Sequence, residues 1–424
     1  MNLISGKLMN DRESRTELER IQTLILETRE KSSLSVPAVI NACDVLSRAL
    51  NEREHLHLLL DLGMSEHKAQ EELRIVKQMM SREYIENRMK VEFGIPLSSS
   101  SPYGDNRSVR QEWKPLGVLL HIAAGNVDAL PVFSVIEGLL TGNINILKLP
   151  GNDDGLSIPI LQELIIIEPL IAQYVFVFDY PSHDIDAIKK MMSAADAIVV
   201  WGGDAAVSAV RSTANPDTRI IEWGHKISFA YISGDVSDAE LEGIACNICD
   251  TNQVLCNSCQ GIFIDTDDFD QVLQFAERFL RILKRMADTL PDYDLYLTAQ
   301  KTLELYTETL EAAKGQKQVF SANNCSVIAY NDMSLVPSYM FRNCWVRPLP
   351  RGRLLSELGK YKNHLQTVAL ICEERDREAL EGILAKTGVV RVTSGVRMSK
   401  GYCGMPHDGE FSLRRYMKIM SYEY

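Results

Sequence analysis

Reactive residue types concentrate in one segment of the chain, NQVLCNSCQGIFID at residues 252–265. The pattern predicts that a helix ends, that a polar loop carries Cys256, and that a strand follows. A cysteine attacks as its thiolate, which requires backbone N–H groups or a base close by, and Asn257 and Ser258 offer N–H groups to a developing oxyanion. Loops between rigid elements often carry such groups. The segment therefore predicts a nucleophilic cysteine, with an inert loop thiol as the alternative.

The same region contains a second pattern, Cys246-x-x-Cys249 followed by Cys256-x-x-Cys259. Paired cysteines of this kind bind zinc or an iron–sulfur cluster in some proteins. Here six residues separate the pairs, whereas the pairs of a zinc ribbon lie roughly 15–20 residues apart. The first pair also falls on a predicted helix, 237–250, where cysteines behave as small buried apolar side chains. We expect no metal, and a metal-stabilised module without catalytic activity stays open as the alternative.

Three further polar residues lie at the predicted ends of strands or in turns next to them. Asn126, in HIAAGNVDALP, follows a strand and precedes a helix, so its amide is placed to donate to an oxyanion. Lys148, in GNINILKLP, lies at a strand end, where parallel sheets bind nucleotides. Glu222, in IIEWGHK, ends a strand and is followed by Gly224 and Lys226. Taken singly, each also has a structural explanation: a turn asparagine, a solvated lysine and an edge glutamate.

From residue 115 onward, short apolar runs alternate with segments of helical periodicity. This alternation predicts parallel sheets covered by helices on both faces. The first unit has predicted strands at 117–123, 144–149, 174–180, 197–203 and 219–222, and helices at 130–140, 157–167, 184–195 and 205–213. The second unit has strands at 227–232 and 261–265, and helices at 237–250, with a capping box of Ser237 and Glu240, and at 267–286. The fold class is therefore α/β with two parallel-sheet units.

The two ends of the chain show other patterns. Residues 1 to about 95 have apolar side chains at helical spacing and predict an N-terminal helical segment, with one helix starting at Ser65. The stretch 96–106, rich in serine, proline and glycine, predicts a linker or an exposed loop. From Val389 onward the sequence predicts a strand and then a glycine- and methionine-rich tail.

The composition limits the class of protein. A length of 424 residues suits two or three domains of about 150 residues each. A net charge of −12 without a run of Lys and Arg argues against nucleic-acid binding. The N-terminus lacks a signal-peptide pattern, and the most apolar window, 164–180, is too short and too polar to span a bilayer. With nine cysteines at low density, we expect a cytoplasmic protein with reduced thiols and no membrane span.

Together and in this order, the motifs resemble those of the aldehyde dehydrogenase superfamily. IEWGHK is similar to its LELGGK segment, with Glu222 at the glutamate, and NILKLP is similar to its VLKPSE segment, with Lys148 at the lysine. The turn of Asn126 resembles the PWNFP turn that supplies an oxyanion asparagine, and the loop of Cys256 resembles GQxC. WGGDAAVSAV, at 201–210, takes the place of a turn and helix near the cofactor. The resemblance implies cofactor contacts at Lys148, Gly151, Gly202, Gly203, Trp223 and Gly224.

Within the superfamily, the chain is most similar to the long-chain acyl-CoA reductases of the bacterial bioluminescence (LuxC) type. The resemblance extends from Glu112 to the C-terminus and rests on GVLLHIAAGNV, GLLTGNINILKLPGNDD, the loop from Gln253 to Gln260, and GMPHDGEFSLRR. It implies an aldehyde-dehydrogenase-like fold with a cofactor-binding domain at 1–225, to which part of 396–424 returns, and a catalytic domain at 226–395. It also implies a homo-oligomer, a dimer or a tetramer.

The reaction that this resemblance implies is the reduction of a fatty acyl-CoA to the aldehyde by NADPH. The Cys256 thiolate attacks the thioester, the Asn126 amide and the Cys256 N–H hold the oxyanion, CoA leaves, and hydride reduces the acyl-cysteine. Two roles are open for Glu222, which either deprotonates Cys256 or protonates the thiohemiacetal. Hydrolysing members of the superfamily use this glutamate to activate water, so NAD(P)-dependent oxidation of an aldehyde to the acid or acyl-CoA stays open as the alternative.

Several positions depart from the family pattern. Gly151 stands where NAD-selecting members carry a glutamate that repels a 2′-phosphate, which favours NADPH, because Lys148 can pair with that phosphate. Cys259 stands where these reductases commonly have proline and is a second candidate thiol. The EEIFGP segment, whose glutamate holds the nicotinamide ribose, has no recognisable counterpart, and the nearest stretch is FRNCWVRPLP at 341–350. His407 and Asp408 form either a surface turn or a border of the active site, and no motif encodes the acyl chain length.

Overall fold

The structure is a computed structural model that describes residues 1–31, 33–50, 55–57, 60, 66–94, 98–103, 107–123, 130–151, 155–289, 295–312 and 315–423. The chain divides into two compact units. The first consists of Met1–Gly224 and Cys403–Tyr424, and the second of His225–Tyr402.

The elements are numbered here along the chain. The helices are α1 (Asp11–Glu19), α2 (Ile21–Lys31), α3 (Val36–Ala49), α4 (Glu66–Met80), α5 (Arg82–Phe93), α6 (Leu130–Leu140), α7 (Ser157–Ile167), α8 (Ile185–Ser193), α9 (Asp204–Thr213), α10 (Asp238–Thr251), α11 (Phe269–Ala287), α12 (Leu295–Ala312), α13 (Leu354–Leu358), α14 (Glu374–Thr387) and α15 (Ser412–Arg415). The strands are β1 (Asn2–Ile4), β2 (Lys7–Met9), β3 (Ser98–Tyr103), β4 (Arg107–Pro115), β5 (Val118–Ile122), β6 (Ile144–Lys148), β7 (Val175–Phe178), β8 (Ala197–Trp201), β9 (Arg219–Trp223), β10 (Ile227–Ile232), β11 (Cys259–Ile264), β12 (Lys317–Ala322), β13 (Cys325–Tyr330), β14 (Asn343–Pro348), β15 (Leu365–Ile371), β16 (Arg391–Thr393) and β17 (Met417–Glu423).

The first unit is built around a sheet with the order β2-β1-β7-β6-β5-β8-β9. Strands β5 to β9 run parallel, and β5 to β8 are buried on both faces almost throughout. This explains why they appear in the sequence as continuous apolar runs. Because the chain order reverses between β5 and β8, their carboxyl ends form a topological switch point, where such sheets bind ligands. The strands and helices predicted for this unit are confirmed to within about two residues at their ends.

The prediction that residues 1 to about 95 are entirely helical is wrong at its beginning. Strands β1 and β2 form a hairpin that pairs antiparallel with the edge strand β7. The two turn residues, Ser5 and Gly6, both have positive φ angles, 49° and 78°, as the twist of a two-residue hairpin favours. A three-residue strand is too short to show a period of two, so the pattern could not reveal it. Helices α1 to α5 confirm the rest of the prediction where the structure describes it; Ser65 lies outside the described residues.

The predicted linker at 96–106 contains a strand instead. Within its described part, β3 pairs antiparallel with β4, from Ser98↔Glu112 to Tyr103↔Arg107. The glycine- and methionine-rich tail ends in a strand that the sequence did not predict: β17 pairs with the other edge of β4 over seven residues. The resulting three-stranded sheet is held by backbone pairing. A run of four serines carries no alternation of apolar and polar side chains, which is why the sequence suggested a loop.

The second unit has a sheet of order β12-β13-β14-β11-β10-β15-β16, parallel apart from the antiparallel edge strand β12. Helix α10 begins at the predicted capping box: Ser237 Oγ accepts from Glu240 N–H at 3.3 Å, and the Glu240 carboxylate accepts from Ser237 N–H at 2.9 Å. The register of β10 shifts against both of its neighbours, β11 and β15. Both shifts lie next to Ser228, whose hydroxyl contacts the loop that carries Cys256.

No helix in the described part of the chain is long and apolar enough to cross a membrane.

Candidate active site

The loop that carries Cys256 is a tight turn between α10 and β11. Asn252 and Gln253, which end α10, adopt left-handed backbone conformations with φ angles of 49° and 63°. Ser258 N–H then donates to Leu255 O at 3.0 Å, and Leu255 N–H donates back to Ser258 Oγ at 3.1 Å. These bonds close a turn around Cys256, so the turn presents the cysteine at its tip.

Two glutamines join the ends of this loop. Gln253 Nε2 donates to Cys259 O at 3.0 Å, and Gln260 Nε2 donates to Gln253 O at 2.8 Å. The carboxamide oxygen of Gln260 in turn accepts from both the N–H and the hydroxyl of Ser338, at 3.1 and 2.8 Å. Since the glutamine side chains are buried, these bonds fix the loop against β11.

A strained segment braces the loop from the other side. Met340, Phe341 and Arg342 all have positive φ angles, 58°, 49° and 70°. Non-glycine residues rarely adopt this conformation, and such residues cluster near functional sites. Phe341 N–H donates to Asn252 O at 2.8 Å, which ties the strained segment directly to the start of the cysteine loop.

Cys256 itself is half-buried and has polar neighbours from two strands. Gln366 Nε2 on β15 lies 3.2 Å from Cys256 Sγ. Ser228 Oγ on β10 donates to Cys256 O at 2.7 Å and accepts from Thr367 N–H at 3.0 Å. Sequence motifs include neither Ser228 nor Gln366. Only the few polar residues within the largely apolar strands ISFAYI and LQTVALI hint at them.

Unsatisfied polar atoms are found around the same loop. Among the described residues, Gln253 Oε1, Asn257 Oδ1 and Thr367 Oγ1 are buried without a hydrogen-bond partner. Folded proteins rarely leave such atoms unpaired, and each exception calls for an explanation. Buried polar atoms without a partner also occur elsewhere, at Trp223 Nε1 and Tyr416 OH for example, so these three support a functional role for the loop only together with its geometry.

The remaining cysteines of the paired pattern are poor nucleophiles. Cys259 is fully buried in β11, its thiol donates to Gly261 O at 3.3 Å, and burial raises its pKa to about 12. Burial also raises the pKa of Cys249 to about 12, and that of Cys246. Within the described residues, none of the four cysteines forms a disulfide, and no group of three or more potential ligands is arranged to hold a metal ion.

Asn126, the predicted oxyanion donor, lies outside the described residues. Its role therefore stays a prediction.

Lys148 is held at the carboxyl end of β6 in the first unit. It is only 6% exposed, its Nζ donates to Ser182 Oγ at 3.0 Å, and burial lowers its pKa. A buried ammonium beside a hydroxyl is well suited to pair with an anionic group. At Gly151, a Cβ would meet no atom within 4 Å, so the chain leaves space close to the strand end.

The predicted turn after β8 leads into the uncapped start of α9, whose first residue is Asp204. Gly202 has a φ angle of 156°, and Gly203 is the N-cap of α9 without a side-chain cap. An added Cβ at Gly203 would meet nothing within 4 Å. Backbone N–H groups at such a helix start are suited to a phosphate, and the turn lies at the switch point of the sheet.

Glu222 and its neighbours form a charged and aromatic cluster at the end of β9. The Glu222 carboxylate forms an ion pair with Arg211 of α9, and its backbone oxygen accepts from Arg415 Nη1 at 3.3 Å. Trp223 is buried and stacks on Trp201, with ring centroids 5.4 Å apart. At Gly224 a Cβ would meet no atom within 4 Å.

The terminal motif forms a hydrogen-bonded turn against these rings. Asp408 and Gly409 have φ angles of 50° and 82°, and His407 and Glu410 exchange two backbone hydrogen bonds of 2.9 Å. The His407 ring packs edge-on to Trp201 and Trp223, with centroids 5.2 and 4.9 Å away. The segment is therefore a turn, which was one of the two expectations for His407 and Asp408. The histidine ring, however, packs on the aromatic cluster of Trp201 and Trp223.

His121 was not singled out by any motif, yet it organises the end of β5. It is fully buried, and burial lowers its pKa to about 4. Asn145 Nδ2 donates to Asn143 O, so Asn145 Oδ1 accepts from His121 Nε2, 3.0 Å away. Nδ1 of the neutral ring is then unprotonated and accepts from Ser134 Oγ at 2.7 Å, while Ser134 Oγ accepts from Trp201 Nε1 at 3.1 Å. This neutral, single-tautomer histidine connects β5 to α6 and β8. In the sequence, only its position inside the apolar run GVLLHIA could have indicated this role.

Residues 32–419 match the sequence profile of the family described as acyl-CoA reductase (LuxC). The chain belongs to the acyl-CoA reductase (LuxC) family. The family membership that the motifs predicted is thereby confirmed.

Curated relatives of this LuxC-family chain include three named long-chain acyl-protein thioester reductases. The protein from Aliivibrio fischeri is 25% identical over 327 residues, covering 73% of this chain and 64% of that protein. The protein from Photobacterium phosphoreum is 26% identical over 320 residues, and that from Vibrio harveyi 23% over 321, with coverages of 73% of this chain and 63% and 65% of theirs. The matches span slightly less than two thirds of the length of these relatives.

Solved structures confirm the predicted aldehyde-dehydrogenase-like fold of this family member. Glyceraldehyde-3-phosphate dehydrogenase GapN from Methanocaldococcus jannaschii, complexed with NADP, has a TM-score of 0.73 at 10% identity, covering 99% of this chain and 95% of that one. The putative aldehyde dehydrogenase PutA from Anabaena variabilis has a TM-score of 0.71 at 13% identity, covering 98% and 93%. At these identities the likeness concerns the fold.

Proposed function

We propose that this chain reduces fatty acyl thioesters to aldehydes with a nicotinamide cofactor, through an acyl group bound to Cys256. The observation that carries the proposal is the half-buried sulfur of Cys256 at the tip of a braced turn, with a side-chain amide 3.2 Å away. Membership of the acyl-CoA reductase family supports it.

In this proposal, Cys256 attacks the thioester carbonyl and the carrier thiol leaves. The Cys256 N–H and the Asn126 amide donate to the oxyanion, and each such donor lowers the barrier by about 3 kcal/mol. When bound, the cofactor supplies a hydride. Collapse of the resulting thiohemiacetal releases the aldehyde and returns the Cys256 thiolate.

The proposed cofactor is NADPH, bound by the first unit. Lys148, held by Ser182 Oγ, would pair with the 2′-phosphate. Gly151 has open space beside it and carries no carboxylate that would repel this phosphate. The open N-cap at Gly203 suits the pyrophosphate, while contacts at Gly202, Trp223 and Gly224 are proposed from the family resemblance. A solved structure with this fold contains NADP.

Two carriers of the acyl group are to be compared. The family description names acyl-CoA, which we propose as the substrate, whereas the curated relatives are named for acyl-protein thioesters. Both carriers present the same thioester to Cys256, so the choice between them does not alter the chemistry at the sulfur.

Oxidation of an aldehyde is the less favoured activity. It would use Glu222 to activate water, but the Glu222 carboxylate forms an ion pair with Arg211. Membership of the acyl-CoA reductase family favours the reductase, and the acid–base role of Glu222 in either reaction stays a prediction. A cytoplasmic location and a homo-oligomeric assembly remain predictions from the sequence.

The test follows nicotinamide absorbance with palmitoyl-CoA, with a palmitoylated carrier protein, and with neither. We expect NADPH oxidation that requires a thioester and releases one free carrier thiol per NADPH consumed. A series from acetyl to palmitoyl thioesters then defines the chain length. Reduction of NADP⁺ by an aldehyde, without NADPH oxidation by either thioester, would overturn the proposal in favour of a dehydrogenase.

A further inference from the structure

The amide of Gln366 contacts the proposed nucleophile, although no sequence motif includes this residue. Its Nε2 lies 3.2 Å from Cys256 Sγ. Gln366 is 7% exposed, so the contact is largely shielded from water. A hydrogen bond to a charged group is stronger in such an environment than in water.

A register shift between β10 and β15 directs the Gln366 amide toward Cys256 Sγ. On β10, Ser228 alone faces two residues of β15, Gln366 and Thr367. An extra residue of this kind re-aims side chains and is common beside active sites. Ser228 Oγ fixes the arrangement, because it accepts from Thr367 N–H and donates to Cys256 O. The same short network therefore holds both the backbone of the nucleophile and the strand that carries Gln366.

We propose that the Gln366 amide stabilises negative charge on the Cys256 sulfur, in the resting thiolate and again in the thiolate that departs when the aldehyde is released. The second part rests on the proposed function. The first part depends only on the cysteine and its neighbour.

The chemistry requires charge on the sulfur at two points. The thiolate forms a C–S bond to the acyl carbon and the carrier thiolate leaves, taking a proton from water. Hydride from the reduced nicotinamide then adds to the acyl carbon, which oxidises the nicotinamide and gives a tetrahedral oxyanion. When its C=O bond re-forms, the C–S bond breaks and the electron pair returns to the sulfur. In the thioester the sulfur carries little charge, so the amide favours the departing thiolate over the acyl-enzyme.

Other ionisable groups flank the two strands that face the sulfur. Lys226 precedes β10 and donates to Asn363 O at 2.7 Å, and the His364 ring before β15 lies 3.3 Å from His225 O. Asp250 lies near the end of α10, and the buried Cys259 begins β11. All of these groups are retained in variants of Gln366, so a difference between variants reports on the amide.

The experiment measures the pH dependence of Cys256 alkylation by iodoacetamide, followed by mass spectrometry of the peptide that contains Cys256. Gln366→Met keeps the side-chain length and removes the donor. In this variant, we expect the pH at which alkylation reaches half its maximal rate to rise by about one unit. At neutral pH the reaction is then about tenfold slower. Gln366→Glu replaces the donor by a carboxylate and should move the profile further upward, because like charges repel.

Gln318→Met, at an exposed glutamine of β12 in the same sheet, is the matched control and should leave the profile unchanged. Circular dichroism establishes that each variant is folded, and the two substitutions at position 366 test the role independently if one of them does not fold. A profile that is identical in wild type and in a folded Gln366 variant would overturn the inference.

The result distinguishes this inference from the proposed function. If palmitoyl-CoA acylates Cys256 but the pH profile of alkylation is the same in wild type and in the Gln366 variants, the proposed function stands and the proposed role of Gln366 is wrong. If the profile shifts but no thioester acylates the protein, Gln366 tunes the thiol and the proposed function is wrong. If both hold, aldehyde release from preformed acyl-enzyme and NADPH should be slower in Gln366→Met than in wild type, because departure of the thiolate from the tetrahedral adduct is slowed.

Discussion

At the scale of single residues, burial separates the two cysteines that the sequence offered as nucleophiles. Cys256 occupies the tip of the turn, whereas Cys259 begins β11 and is fully buried, with its pKa raised to about 12. The sequence identified both positions, but the residue at which the strand begins decides which thiol is available. Gln366 and Ser228 could not be predicted, because a register shift between strands far apart in the sequence brings them to Cys256.

Lys148 offers a test of the cofactor preference. The Lys148→Gln variant should weaken NADPH binding by about tenfold or more, since it removes a charge-assisted pair with the 2′-phosphate, and should affect NADH much less. The measurement is the dissociation constant of each cofactor by titration calorimetry. Lys114→Gln, at a lysine of β4 that pairs with Glu112, is the control. Equal losses for NADPH and NADH would contradict the assignment of Lys148 to the 2′-phosphate.

His121 should make the protein sensitive to acid. Its pKa is lowered to about 4 in the folded state, while the unfolded chain binds the proton near pH 6.5. The unfolded state therefore gains protons first as the pH falls, and the stability due to neutral His121 is lost between about pH 6.5 and 4, by about 3 kcal/mol in all.

Urea unfolding at a series of pH values measures this loss. His121→Gln removes the titrating ring and should flatten the dependence in that window, whereas His183→Gln, at an exposed site, should not. An acid dependence that is unchanged in His121→Gln would show that other groups cause it.

At the scale of elements, the strength of the pattern decided which predictions held. Buried parallel strands such as β5 and β6 and the amphipathic helix α11 have continuous or periodic apolar residues, and all were predicted. The hairpin of β1 and β2 and the serine-rich strand β3 have no such pattern. Backbone pairing and tertiary contacts create these strands, so they became visible only in the structure.

Two glycines give opposite expectations for the same substitution. A Cβ at Gly261 in β11 would lie 1.9 Å from the Trp345 ring on the neighbouring strand. Gly261→Ala should therefore destabilise the second unit by about 1–3 kcal/mol or more, as overpacked cores do. Gly382, inside α14, has no atom within 4 Å of an added Cβ, and Gly382→Ala should stabilise by about 0.5–1 kcal/mol.

Thermal unfolding of both variants checks this pair of predictions. Gly382→Ala serves as the control for the effect of alanine on the unfolded chain. A Gly261→Ala protein that melts with or above the wild type would show that Trp345 moves aside without cost.

At the scale of the whole molecule, buried thiols in both units should make stability fall at high pH. Burial raises the pKa of Cys43 in α3 to about 12, as it does for Cys249 and Cys259. Above about pH 8.5 the unfolded chain loses these protons while the folded chain keeps them, so each thiol removes about 1.4 kcal/mol of stability per pH unit.

Denaturant unfolding under reducing conditions, from neutral pH to pH values above that range, measures the slope. Cys43→Ala should reduce it by the share of one thiol, and Cys372→Ala, at a half-buried site, should reduce it less. Equal effects of the two substitutions would contradict the link between burial and alkaline instability.

The most direct test of the central claim is the intact mass of the protein after incubation with palmitoyl-CoA in the absence of cofactor. The account predicts a single palmitoyl adduct that is lost in Cys256→Ser, is retained in Cys259→Ser, and is discharged as palmitaldehyde when NADPH is added. An adduct that persists in Cys256→Ser and disappears in Cys259→Ser would contradict it.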